Sequence, residues 1–165
     1  MKVLKITNPD INNGLGNRIT VWFAGCNHHC DMCQNSWTWN YNQGYDIEDA
    51  YEKINNVLGL DYIQGITFSG GDPLQQTETS LQELLKMIMY IRKNFAGKDI
   101  WIYTGYTLQE LKERNNGTLN GILDNIDVLV DGMFDNELKD LSLAFRGSSN
   151  QNIWDMKNNA LLSLD

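Results

Sequence analysis

Apolar positions in this chain switch between two periods, and the switching sketches a fold. Short runs rich in β-branched and aromatic residues, each bounded by turn-forming residues, predict buried strands at 18–24, 63–69, 99–103 and 126–130. Between them the apolar spacing becomes helical. Ile47, Ala50, Tyr51, Ile54 and Leu58 follow Asp46 as a cap and precede Gly59 as a stop. Leu81, Leu84, Leu85, Ile88 and Ile91 mark a longer helix over 79–95 that ends at Gly97. Thr107 and Glu110 form a capping-box pair that opens a short third helix. A short edge strand is expected at 3–7, a loop at 8–17, a polar helical turn at 136–141 and a further strand at 152–155.

Strands that alternate with helices imply parallel pairing through right-handed crossovers, hence an α/β fold. Four or five such units are too few to close an eight-stranded barrel, which leaves an incomplete, curved barrel with outer helices or a small open sheet. Each predicted strand runs into a polar, glycine-bearing loop: Gly25-Cys26, Ser69-Gly70-Gly71-Asp72, Thr104-Gly105-Tyr106 and Asp131-Gly132. In α/β proteins the C-terminal strand edge carries the chemistry, so these four loops mark the expected site.

The 165 residues are expected to form one domain, 1–165, because the length lies within a single-domain size and the balance of 42% hydrophobic to 21% charged residues is globular. The net charge of −8 disfavours nonspecific contact with nucleic acid or an anionic membrane and points to protein or small-molecule partners. Neither a signal-peptide pattern nor an apolar run of membrane-spanning length is present, so a cytoplasmic location, with reduced thiols, is expected.

All three cysteines, Cys26, Cys30 and Cys33, fall within eight residues, spaced Cys-x3-Cys-x2-Cys. An odd number so tightly clustered suits a metal or redox site better than a disulfide framework. Three thiolates can ligate three irons of a [4Fe–4S] cluster and leave the fourth iron without a protein thiolate. Zinc completed by His28 or His29, or unligated thiols, are the alternatives at this level. Gly70 and Gly71 read either as a strand-to-helix turn or as a place where a ligand approaches the backbone and offers an amine to exposed carbonyls. Gly14 and Gly16 read as turn residues. Asp131 is balanced between facing the site and pairing with the turn at Gly132, and Arg146 between binding a carboxylate or partner and a surface ion pair. Trp37 and Trp39 are interface anchors or core, and Arg18 reads as a solvated charge.

Taken together, Gly25-Cys26-Asn27-His28-His29-Cys30-Asp31-Met32-Cys33-Gln34-Asn35, Ser69-Gly70-Gly71-Asp72-Pro73-Leu74 and Trp101-Ile102-Tyr103-Thr104-Gly105-Tyr106 resemble the radical S-adenosylmethionine (SAM) superfamily. With Val128-Leu129-Val130-Asp131-Gly132 and Arg146-Gly147-Ser148-Ser149-Asn150-Gln151, the chain is similar to the activating-protein family of the anaerobic ribonucleotide reductases. The resemblance implies a partial TIM-like β/α barrel and one [4Fe–4S] cluster on Cys26, Cys30 and Cys33. It also implies SAM contacts at Met32, Cys33, Gln34, Gly70 and Gly71. Met32 stands where an aromatic is common, and Asp72 replaces a usual glutamate. The implied activity is reductive SAM cleavage that places a glycyl radical on the reductase large subunit. A reduced flavodoxin-type protein would supply the electron, and a homodimer within a heterotetramer is the implied assembly. A formate-lyase-type client is the alternative within that chemistry, and a Cys3His zinc-stabilised binding module the alternative outside it.

Overall fold

The computed structural model describes residues 1–164. Eight strands form one sheet in the order β3-β1-β2-β4-β5-β6-β7-β8. They are β1 (Lys2–Asp10), β2 (Arg18–Phe23), β3 (Tyr45–Asp46), β4 (Gly65–Gly70), β5 (Asp99–Tyr103), β6 (Val128–Asp131), β7 (Asn152–Asp155) and β8 (Ala160–Leu161). The four strands expected from the buried runs are the parallel centre: β2 pairs β4, β4 pairs β5, and β5 pairs β6. Antiparallel strands flank them on both sides. β1 is longer than expected and is not an edge, because the two-residue β3 pairs outside it.

Helices α1 (Tyr51–Leu58), α2 (Glu78–Asn94), α3 (Leu108–Glu113) and α4 (Gly117–Asp124) make the crossovers. Asp46 does not cap α1; residues Ile47–Ala50 form a 3-10 turn first, and the regular helix starts at Tyr51. Thr77 caps α2 through Ser80 N–H, and the Thr107–Glu110 box caps α3 with both reciprocal bonds present. Helix α4 lacked a sequence expectation: Asn116 caps it, but Gly117 and Gly121 interrupt its apolar spacing. The turn expected at 136–141 is one 3-10 turn, Asn136–Leu138.

Period-two alternation sorts the parallel strands onto two faces. Ile19, Val21, Phe23, Ile66, Phe68, Ile100, Ile102 and Leu129 pack with the apolar stripes of all four helices in one core. The opposite face holds a smaller cluster, Trp101, Val128, Val130 and Ile153, with no helix among the described residues packed on it. Buried polar residues Arg18, Thr20, Thr67 and Ser69 lie at the alternate positions of β2 and β4. The helices thus cover one face and leave the other lined by polar groups, below the edge where the loops emerge.

Arg18 departs from its expected role as a solvated charge. It is fully buried, ion-paired with Asp99, bonded to Thr67 Oγ1 at 2.8 Å and to the carbonyls of Leu15 and Ile66, with its guanidinium 5.1 Å from the Trp101 ring centre. Gly14 packs directly on this side chain, which explains a glycine there by close approach. No helix among the described residues is long and apolar enough to cross a membrane.

Candidate metal centre

Strand β2 passes through Ala24 and Gly25 into the cysteine loop, and four backbone bonds fix where that loop sits. Gly71 N–H donates to Phe23 O and Asp72 N–H to Gly25 O, both at 2.8 Å, so the parallel ladder between β2 and β4 continues beyond the strands. Gly25 N–H donates to Thr38 O at 2.7 Å and Cys26 N–H to Trp39 O at 3.2 Å, closing the far end of the loop onto its start. Inside the loop the chain turns through left-handed conformations at His29 and Met32. Cys33 N–H bonds to Cys30 O at 3.2 Å.

The Gly70-Gly71 pair is required by the chain itself. Gly70 has φ +110°, and a Cβ there would meet Phe23 N and O at 2.5 Å. A Cβ on Gly71 would collide with the Gly25 backbone. The close approach inferred from the sequence is therefore, first, one between two loops.

All three cysteines line a cavity of about 130 Å³, whose walls include Ser69, Gly70, Gly71, Thr104, Gly105 and Phe134. It adjoins a wider cleft of about 430 Å³, sharing Cys33, Asn35, Ser69, Tyr103, Phe134 and Gln151 with it. Burial pushes the Cys26 thiol up to about 11, with the Asp72 charge adding to it, while the N–H groups of His28 and His29 act in the opposite sense. Burial, followed by the neighbouring Cys33, also raises Cys30, opposed by the Phe134 N–H. Asn35 N–H points at Cys33 Sγ at 3.4 Å. Three half-buried thiols with N–H groups aimed at their sulfurs form a donor set that a cationic iron centre would hold as thiolates.

The geometry also separates the metals. His28 Nε2 is bonded to Asp72 Oδ2 at 2.7 Å, and His29 stacks on Trp39 at 4.4 Å. His28 thus spends one ring nitrogen on Asp72, and the His29 ring packs against Trp39. Among the described residues, no three Cys, His, Asp or Glu side chains stand close enough to hold one ion. A tetrahedral zinc draws its sulfurs onto one point at about 2.3 Å, whereas a cubane gives each thiolate its own iron. The residues present fit a [4Fe–4S] group.

Of the other expected site residues, Gln34 lines the wider cleft, while Met32 is 71% exposed and lines neither cavity. Asp131 does not face the cavities. It accepts bonds from Leu108 N–H at 2.7 Å, Trp154 Nε1–H at 2.9 Å and the Asn152 amide, tying α3 and β7 to β6. Arg146 lines the wider cleft and donates to Gln151 O at 3.3 Å. The Gln151 side chain in turn accepts from Gly147 N–H and donates to Gly132 O, both at 2.9 Å. Trp39 lines the cysteine cavity; Trp37 is 44% exposed and tilts against Trp22 at 6.0 Å.

Sequence reasoning missed how central Asp72 is. It is 1% exposed and accepts from Leu74 N–H, Thr104 Oγ1, Gly105 N–H and His28. Gln75 and Gln76 were missed too. Gln76 donates to the carbonyls of Ala24 and Asp72, and Gln75 bonds to Asn27 N–H and Tyr106 OH. Position beside the Gly-Gly-Asp turn was the sole signal for either.

Residues 12–154 match the family described as a 4Fe-4S single cluster domain. The anaerobic ribonucleoside-triphosphate reductase-activating protein of Escherichia coli K12 is 46% identical over 145 residues, covering 86% of this chain and 90% of its own. The protein of the same name from Haemophilus influenzae is 39% identical, covering 92% and 96%. That of Enterobacteria phage T4 is 34% identical and covers 88% of each. A three-thiol pocket suited to an iron–sulfur cluster, a matching cluster-domain family and relatives spanning nearly the whole chain converge: the chain belongs to the family of anaerobic ribonucleoside-triphosphate reductase-activating proteins.

Proposed function

We propose that this protein cleaves S-adenosylmethionine reductively at a [4Fe–4S] cluster on Cys26, Cys30 and Cys33 and places a glycyl radical on the large subunit of an anaerobic ribonucleotide reductase. The observation that carries the proposal is the cysteine cavity: three thiols facing a wall of glycines. A cluster held by three cysteines keeps one iron for a small-molecule ligand. Held by Cys26, Cys30 and Cys33, the cluster would pass one electron from an external reductant to SAM, whose sulfonium C–S bond would then break to give methionine and a 5′-deoxyadenosyl radical able to take a hydrogen atom from glycine.

The chain's own residues bind, orient and exclude water. Gly70 and Gly71 leave that wall without side chains, so backbone carbonyls can receive the methionyl amine. Asp72 has its lone pairs occupied by four protein donors and serves to shape the turn. Gln34 and Cys33 border the wider cleft, on the side proposed for the adenosyl group. For Met32 to join them, its exposed side chain must fold inward. The wider cleft, with Arg146 and Gly147 on its rim, is the proposed entry for the client glycine. Helices on one face of the sheet and polar groups on the other support a partial β/α barrel. A reduced flavodoxin-type donor, a cytoplasmic setting and a homodimer within a heterotetramer complete the proposal.

Anaerobically reconstituted protein, given SAM and dithionite, is expected to release 5′-deoxyadenosine and methionine. Adding the reductase large subunit is expected to produce a glycyl-radical EPR doublet. A fully reconstituted cluster that turns over no SAM would refute the proposal. A doublet on a formate-lyase-type client and none on the reductase would reassign the client.

A further inference from the structure

Three of the four loops meet at one imidazole. His28 sits between Cys26 and Cys30, and its Nε2 lies 2.7 Å from Asp72 Oδ2. The same oxygen accepts from Thr104 Oγ1 and Gly105 N–H, each at 2.9 Å, while Oδ1 accepts from Leu74 N–H. A carboxylate so placed is an acceptor throughout, so the imidazole donates through Nε2. The ring rests on Gly105, where a Cβ would come within 2.5 Å of Cδ2 and 2.6 Å of Nε2. Tyr106 packs on the imidazole edge-on at 4.7 Å, with the Arg114 guanidinium 3.7 Å from the Tyr106 ring centre. Gln75 bonds to Tyr106 OH and to the Asn27 N–H, enclosing the imidazole from the β4 side.

We propose that His28 is a positioning residue: seated on Gly105 and held by Asp72, it latches the Cys26–Cys30 span to the β4 and β5 loops and presets the thiol spacing before the cluster assembles. The proposal rests on the cluster assignment for its purpose, but the latch belongs to the protein without metal. It also gives the Thr104-Gly105-Tyr106 loop a role. Thr104 and Gly105 orient the carboxylate, Gly105 leaves room for the ring, and Tyr106 limits its tilt. Buried hydrogen-bonded networks of this kind fix one arrangement of a loop because a partial arrangement leaves polar groups unmatched.

The test is hydrogen exchange of residues 25–35 in the metal-free protein under anaerobic conditions, comparing His28→Leu, His28→Gln, Gly105→Ala and the double variant His28→Leu/Gly105→Ala. His28→Leu and Gly105→Ala are each expected to speed exchange in this segment by about tenfold or more. The double variant is expected to exchange no faster than the quicker single one, because both remove the same latch. His28→Gln, which keeps a donor for Asp72, is expected to recover most of the protection. In reconstituted protein the EPR signature of the reduced cluster should shift in His28→Leu and return towards wild type in His28→Gln. Exchange within about twofold of wild type in both single variants, or additive effects in the double, would overturn the latch. Should His28→Leu lose its far-UV circular dichroism, Gly105→Ala, which removes no hydrogen-bonding group, decides alone. Failure of the wild type to assemble a cluster would count against the proposed function, and the metal-free exchange would still decide the latch.

Discussion

Replacing Gly71 with alanine tests whether the cysteine loop is placed by its backbone contact with the Gly-Gly-Asp turn. Gly71 does not have positive φ, so alanine can adopt its conformation, and the cost comes from space alone. The new Cβ would lie 2.7 Å from the Gly25 carbonyl carbon and 2.9 Å from its nitrogen. Carbon atoms pack at about 3.5 Å or more, so the two backbones must separate by about 0.8 Å. The bonds from Gly71 N–H to Phe23 O and from Asp72 N–H to Gly25 O, both 2.8 Å, would stretch beyond useful length. Two lost backbone bonds cost about 1 kcal/mol each, and forced separation in a packed site adds about 1–3 kcal/mol, giving about 3–5 kcal/mol in all. At this chain length that lowers the melting temperature by about 10 °C. Thermal unfolding of the metal-free protein and iron content after reconstitution are the assays. Gly132→Ala is the control: its φ is +96° and its nearest neighbours would be 3.6 Å away, so only backbone strain of about 1–2 kcal/mol applies. A Gly71→Ala protein that melts within about 1 °C of wild type and takes up full iron would refute the reasoning.

Other outcomes follow from the same contacts. Arg18→Ala leaves Asp99 without its cation and the carbonyls of Leu15 and Ile66 without their guanidinium donor, and should cost about 3–5 kcal/mol in urea unfolding, with no dependence on iron loading. Asp131→Ala should lose about 2–4 kcal/mol through its bonds to Leu108, Trp154 and Asn152, while SAM turnover per assembled cluster stays unchanged. Burial works to raise the Asp127 carboxyl, but Lys157, the Ile100 N–H and Arg92 together hold it below the usual carboxylate range. The native state therefore binds fewer protons than the unfolded one there. The resulting stability is complete above the unfolded value and is lost as pH falls through the depressed native one. Asp127→Asn should flatten that part of the acid slope in urea midpoints measured from about pH 6 to pH 3. Cys33→Ser should abolish the characteristic cluster absorbance and 5′-deoxyadenosine release together, leaving far-UV circular dichroism intact.

Much of this protein is determined locally and so could be read along the chain. The four central strands show as short β-branched and aromatic runs, apolar at the alternate positions that face the helices, and α2 and α3 announce themselves by spacing and caps. Cysteine spacing confined the metal chemistry to one loop, and the glycine-bearing strand ends located the edge where that loop would lie. Features set by partners distant in sequence could not be read in this way. Arg18 looks like any surface charge until β4 and β5 bring Thr67 and Asp99 over it. Helix α4 hides behind two glycines and is held by packing on α2. Gly70 and Gly71 suggested space for a ligand, but their missing side chains first make room for Phe23 and Gly25. Asp131, at a strand end that the sequence placed beside the site, turns away to hold α3 and β7. His28 was one of two possible zinc ligands in the sequence. Only the approach of Asp72 and Gly105, 44 and 77 residues further along, seated its ring on a neighbouring loop at the wall of the cysteine cavity. A side chain's type determines which bonds it can make, and the long-range packing of the chain determines which of them it does make.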